Sequence, residues 1–160
     1  MSGKGRSIGY YWIGTLSRPA AAFRRLLEDR RRFVKGFGAV LLGGVFYALA
    51  AAGLGAAGAV PMIPVVAGAS AENYYFWQIL FTVPLVISCW ILSTVVLHVL
   101  AGRRKGRAGA TFKGMLALTG FALTAPFWLT WAFKCATAVL MLMGMSQEEW
   151  VEALSDPGFL

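Results

Sequence analysis

His98 is the only histidine of the 160 residues, and imidazole is the side chain whose ordinary pKa lies nearest neutrality. It sits toward the end of a long uncharged stretch. Polar groups in such places either serve a purpose or satisfy a helix end or a neighbouring helix, and both readings stay open for His98. Lys134 is the other isolated ionisable group, placed among apolar residues on both sides. The seven carboxylates all fall outside the three longest uncharged runs. With one histidine and no carboxylate pair there is no HExxH, no metal triad and no recognisable acid–base couple. Cys89 and Cys135 form no CxxC spacing and are expected to be buried packing residues. Ser88, Ser93, Thr94, Thr119 and Thr124 are expected to bond across helices rather than act as nucleophiles. The glycine-rich stretch Gly102 to Gly109 lacks the GxxxxGK phosphate-binding pattern. The reading is a protein that is no enzyme, with no catalytic, cofactor-binding or metal residues and no cofactor.

The elements that carry these groups are set by composition. Hydrophobic residues make up 58% and charged residues 14%, against about 45 to 50% and about 25% in soluble domains. The uncharged runs cover 36 residues (Gly36 to Ala71), 30 (Asn73 to Gly102) and 20 (Gly114 to Phe133). About 20 apolar residues span the hydrocarbon core. An all-α polytopic transmembrane bundle follows, with about three spans near 36–60, 76–100 and 112–133. Pro61 and Pro64 mark the end of the first span, and Pro84 and Pro126 are expected to kink the second and third. The apolar piece 135–145 is too short to cross back and extends the third helix or lies in the interface. The first 18 residues hold no apolar core long enough for a signal peptide, so no cleaved leader is expected.

Charge orients the bundle. Residues 1–35 and 102–113 hold 14 basic residues against two acids, Glu28 and Asp29. The remaining flanks hold Lys134 against five acids. Basic residues stay on the cytoplasmic side, which places the amino terminus inside, the carboxyl terminus outside and the chain in a cell (inner) membrane. Tyr74, Tyr75 and Trp77, and Trp128 and Trp131, fall where an outer aromatic belt belongs. Lys134, about 20 residues past Lys113, can snorkel to that surface.

Three segments result: a cytoplasmic basic arm (1–35), a transmembrane domain (36–145) and an acidic tail (146–160). In the arm, 19–35 reads as one amphipathic helix capped by Ser17, with Phe23, Leu26, Leu27, Phe33 and Val34 on its apolar face. Arg24, Arg25, Arg31, Arg32 and Lys35, together with Arg103, Arg104 and Lys105 of the second basic loop, face the anionic inner leaflet. They either enforce topology alone or make a dedicated lipid or partner contact. Because the membrane accounts for the positive excess, nucleic acid is not expected as a partner. In the first span Gly44, Ala48, Ala52 and Ala56 recur every four residues, with Ala51, Gly55 and Ala59 alongside. Such stripes let helices approach closely, either within this chain or against a second copy or a partner membrane protein.

Three stretches resemble the Yip family of polytopic membrane proteins, in particular its bacterial members. They are Leu16-Ser17-Arg18-Pro19 with Phe23, Leu97-His98-Val99-Leu100-Ala101, and Gly106-Arg107-Ala108-Gly109-Ala110-Thr111-Phe112-Lys113 leading into Gly120-Phe121-Ala122-Leu123-Thr124-Ala125-Pro126. The last is similar to the family's glycine-serine-phenylalanine loop and glycine-tyrosine-alanine-proline span, with Phe121 where tyrosine is usual and Ala110-Thr111 where serine is. Family members usually have about five spans, so the resemblance implies a short or truncated member. Its eukaryotic members are implicated in vesicle traffic and GTPase recruitment. The Ala, Gly and Arg content points to a GC-rich bacterial source, where a Rab partner would not exist. The expected role is a membrane scaffold or organising component, the alternative a small transporter or channel subunit.

Overall fold

The computed structural model describes residues 6–61, 73–102 and 111–155. Among these the chain forms seven helices and no strand: α1 (Ile8–Ser17), α2 (Pro19–Glu28), α3 (Arg32–Ala56), α4 (Tyr74–Gly102), α5 (Phe112–Thr124), α6 (Trp128–Leu142) and α7 (Gln147–Ser155). The fold is therefore all-α, and α3 and α4 are long and apolar enough to cross a membrane. Arg103, Arg104 and Lys105, the family-like residues 106–110, Pro64 and Glu72 lie outside the described residues.

Several boundaries differ from those expected. The arm helix does not run from 19 to 35. It stops at Glu28 because the Asp29 carboxylate accepts the Arg31 N–H at 2.9 Å in an Asx turn, holding Asp29 extended, and α3 restarts at Arg32. Ser17 caps nothing there; it closes α1, a helix the sequence reading missed, and its hydroxyl donates back to the Ile13 carbonyl at 2.9 Å. The first long helix ends at Ala56, four residues early. Gly58 adopts φ +71° while Ala59 N–H reaches back to the Leu54 carbonyl at 3.0 Å, a Schellman stop that precedes the prolines. Pro84 is carried within α4. Pro126, by contrast, divides the third expected span into α5 and α6, of 13 and 15 residues. Having no N–H, it cannot bond to the preceding turn. Neither helix alone has the length of a crossing at 1.5 Å per residue. Residues 135–142 do extend that segment, as α6. The tail also forms a helix, α7, closed by a capping box: Glu149 N–H donates to Ser146 Oγ at 3.2 Å and Ser146 N–H to Glu149 Oε2 at 2.7 Å.

The chain divides into two compact units, Met1–Gly44 with Pro84–Trp128, and Val45–Val83 with Leu129–Leu160. In the first unit α1, α2 and α5 pack on one another. Tyr11, Leu26, Ala39, Ala117 and Phe121 form its buried core. The apolar face of α2 is thus covered by protein. A second cluster joins Val40, Trp90 and Leu116. In the second unit α3 and α6 touch at Gly53, where an added Cβ would stand 3.0 Å from the Ala138 Cβ. Trp150 of α7 packs on Phe133 at 5.6 Å between ring centres.

Candidate functional site

Two polar clusters stand out, one in each unit. In the first unit Asp29 collects three donors. Tyr11 donates its hydroxyl at 2.9 Å, Arg31 its backbone N–H, and Lys35 its ammonium in the only ion pair among the described residues. Burial alone would raise the Asp29 carboxyl, but these bonds and the Lys35 charge outweigh it and hold the group below its ordinary value. Tyr11 moves the other way, pushed up to about 12 first by burial and then by its bond to the carboxylate. This cluster pins α1 to the turn between α2 and α3. Its groups are mutually satisfied, so its chemistry is structural.

In the same unit Thr94, Thr119 and Thr124 bond across helices as expected. Thr94 and Thr119 bond oxygen to oxygen at 2.6 Å between α4 and α5, both buried. Trp90 donates its indole N–H to the Leu116 carbonyl at 2.9 Å, and Trp12 donates to Thr124 Oγ1 at 2.9 Å. Ser88 is exposed and Ser93 half-buried. His98 is half-buried, edge-on to Phe112 at 5.4 Å between ring centres, and belongs to neither cluster.

Of the basic residues expected on the inner leaflet, Arg24 and Arg31 are exposed. Arg25 is exposed too but donates to the Tyr10 hydroxyl, while Arg32 donates to the Leu27 carbonyl and lies 3.5 Å from Thr111 Oγ1. With Lys35 engaged on Asp29, the guanidiniums of Arg24 and Arg31 are the clearest outward charges of this set. The cysteine expectation needs correction: Cys89 is exposed on α4 and Cys135 half-buried. Along α4 large apolar side chains such as Leu85, Leu92 and Leu100 are also exposed, so an apolar residue there is not thereby a buried one.

The small-residue stripe takes a different course from the expected one. Gly44 is buried, Ala48 and Ala52 are half-buried and Ala56 is exposed. The closest approach lies a full turn and more before this stripe, at Gly36. A Cβ there would meet the Ala117 Cα at 2.6 Å, and one on Gly120 would meet the Gly36 carbonyl oxygen at 2.7 Å. Gly36 was not singled out because it sits beside Lys35, at the edge of the apolar run.

The second unit holds Lys134. Its ammonium donates to the Tyr47 hydroxyl and stands 4.0 Å from the centre of that ring. Gln78 donates its amide N–H to the same hydroxyl at 3.1 Å. The Gln78 carbonyl oxygen is buried without a donor. Lys134 and Gln78 line a cavity of about 270 Å³ whose walls also include Leu54, Phe133, Met141 and Trp150. Gln147 helps close it, holding the Val60 backbone through two bonds of 2.9 and 3.1 Å. Sequence reasoning reached Lys134 but not Tyr47 or Gln78. The available signal was an amide and a phenol inside long apolar helices, where polar side chains need partners. Among the described residues no three His, Cys, Asp or Glu side chains come together as a metal set.

In comparisons with family models, with curated proteins and with solved structures, the chain matches none.

Proposed function

We propose that this protein is a non-enzymatic integral membrane protein that acts as a scaffold or organising component, with an arm of α1 and α2 at the cytoplasmic face. One observation carries the reading. Only 17% of the most apolar window of α4, and 33% of that of α3, is buried inside the chain. Phe37, Leu41, Phe46 and Leu49 of α3, and Leu85, Leu92, Val96 and Leu100 of α4, are exposed. The core helix of a soluble protein covers such residues, whereas lipid solvates them at no cost. Thr94 of α4 turns inward instead, toward Thr119.

In this reading α3 and α4 cross the membrane and α5 with α6 makes a third, broken crossing. The basic flanks stay inside, on an inner membrane, and the acidic α7 outside. Arg24 and Arg31 meet anionic head groups. The resemblance to the Yip family, whose members are polytopic membrane proteins, is in keeping with this reading. The partners are the anionic leaflet and a second copy or a partner membrane protein.

The test is alkaline carbonate extraction followed by cross-linking in native membranes. The protein is expected to stay in the pellet and to give a discrete cross-linked species that Ala48→Leu with Ala52→Leu abolishes. Release into the carbonate supernatant overturns the membrane reading, and cross-linking indifferent to the double substitution overturns the scaffold.

A further inference from the structure

The second unit contains a cation that no described carboxylate pairs with, beside an apolar groove. The Lys134 ammonium can donate three hydrogen bonds. The Tyr47 hydroxyl takes one, and no described carboxylate forms an ion pair with it. Gln78 spends its N–H on the same hydroxyl, and its carbonyl oxygen is enclosed without a donor. A half-buried charge is stabilised by a counter-charge. Lys134 lines the cavity of about 270 Å³, which has room for about nine waters at about 30 Å³ each.

A second hollow of about 500 Å³ shares Ala59, Val60 and Tyr75 with the walls of the first. Its other walls are Ala52, Gly55, Ala56, Gly58, Phe76 and Ile79. Gly55 and Ala56, at the exposed end of the small-residue stripe, therefore border a trough. Gly55 approaches Tyr75 so nearly that an added Cβ would be 3.0 Å from the Tyr75 Cβ, which sets the ring between the two hollows.

We propose that this is a binding site for one phospholipid whose head group is net anionic. The phosphate oxygens accept from Lys134, and an acyl chain lies along Gly55 and Ala56. A choline head fits poorly, because its fixed positive charge opposes Lys134. The proposal rests on the membrane reading, since it needs the cavity to open to lipid.

The test is native mass spectrometry of the full chain in detergent, titrated with phosphatidylglycerol, phosphatidylcholine or soluble glycerol 3-phosphate. Phosphatidylglycerol is expected to bind one to one and about tenfold more tightly than phosphatidylcholine, with glycerol 3-phosphate not retained. Lys134→Gln is expected to remove about tenfold of that affinity. Lys134→Arg should keep it, and Ala56→Phe, which fills the trough without touching the cation, should lower it. Arg24→Gln with Arg25→Gln should leave it unchanged, separating this site from the arm. Equal binding of the two lipids, or full binding by both Lys134→Gln and Ala56→Phe, overturns the proposal. Retention of glycerol 3-phosphate as tight as that of the lipid also overturns it, because the anion alone would then be the ligand. A chain that stays monodisperse without detergent sinks the membrane reading and this site together. Detergent dependence without lipid preference sinks the site alone.

Discussion

Gly36 of α3 lies so close to Ala117 of α5 that a single methyl group on it would come within 2.6 Å of the Ala117 Cα. The obstacle is backbone, which cannot rotate away as a side-chain tip can. The same crossing is tight from the other side, where Gly120 faces the Gly36 carbonyl. The two glycines therefore set the distance between α3 and α5.

Gly36→Ala and Gly120→Ala are each expected to destabilise the protein by about 1 to 3 kcal/mol, the usual cost of overpacking. Gly102→Ala, where an added Cβ meets nothing within 4 Å, is the control and should not destabilise. Thermal unfolding of the purified variants in detergent checks this; equal melting temperatures for all three would contradict the tight crossing.

Thr94 and Thr119 share a buried bond of 2.6 Å, and each also donates within reach of its own helix, to the Trp90 and Met115 carbonyls. A double-mutant cycle with Thr94→Val and Thr119→Val should show a coupling of about 0.6 kcal/mol, the average for polar contacts between membrane helices. Strict additivity would mean that the bond joining the two helices contributes nothing.

The joint at Asp29 should respond to acid and to base for opposite reasons. Its carboxyl titrates below its ordinary 3.8 in the folded state. The stabilisation is therefore present above that pH and lost as pH falls through the lower folded value. Tyr11 is raised from 10.0 to about 12, so its contribution is complete below pH 10 and lost as pH rises through about 12. Hydrogen exchange of α1 should accelerate at both extremes. Asp29→Asn should abolish the acid limb, and Tyr11→Phe should remove the late phenol from an ultraviolet titration.

The box that closes the start of α7 carries a carboxylate switch of the same sign as Asp29. Hydrogen bonds from the Ser146 backbone and hydroxyl side hold Glu149 below its ordinary 4.5. Stability present above that pH is lost as the carboxylate protonates below it. Amide exchange in Gln147–Ser155 is expected to rise as pH drops from 5 toward 3, and Glu149→Gln should blunt the change while leaving α1 exchange unaltered.

How much of this was legible beforehand differs between elements. The long uncharged runs announced α3 and α4, because burying or solvating so many apolar side chains admits few alternatives. Pro126 signalled a disturbance, because a missing N–H is a local fact, but the expected kink in one span is a full break between α5 and α6. The pairing of threonines was foreseen as a class, since hydroxyls in apolar helices need partners. The arm was misread as one helix because Arg24 to Glu28 and Glu28 to Arg32 spacings favour continuity. Asp29 ends the helix through the turn in which it accepts the Arg31 N–H, and it is pinned there by Tyr11, which lies 18 residues away. The stop at Gly58 was hidden among many other glycines, of which only Gly144 also takes a positive φ among the described residues.

The amino-acid order alone determined that the chain is helical and that it holds helices long and apolar enough to cross a membrane, α3 and α4, because composition and short-range periodicity act through neighbours in the chain. Tertiary structure decided the rest. It selected Gly36 and Gly120, instead of the stripe through Ala48 and Ala52, as the closest crossing. It also brought Tyr47, Gln78 and Lys134 to one point from three helices. Such choices depend on distances between residues far apart in sequence, and no local pattern encodes those distances.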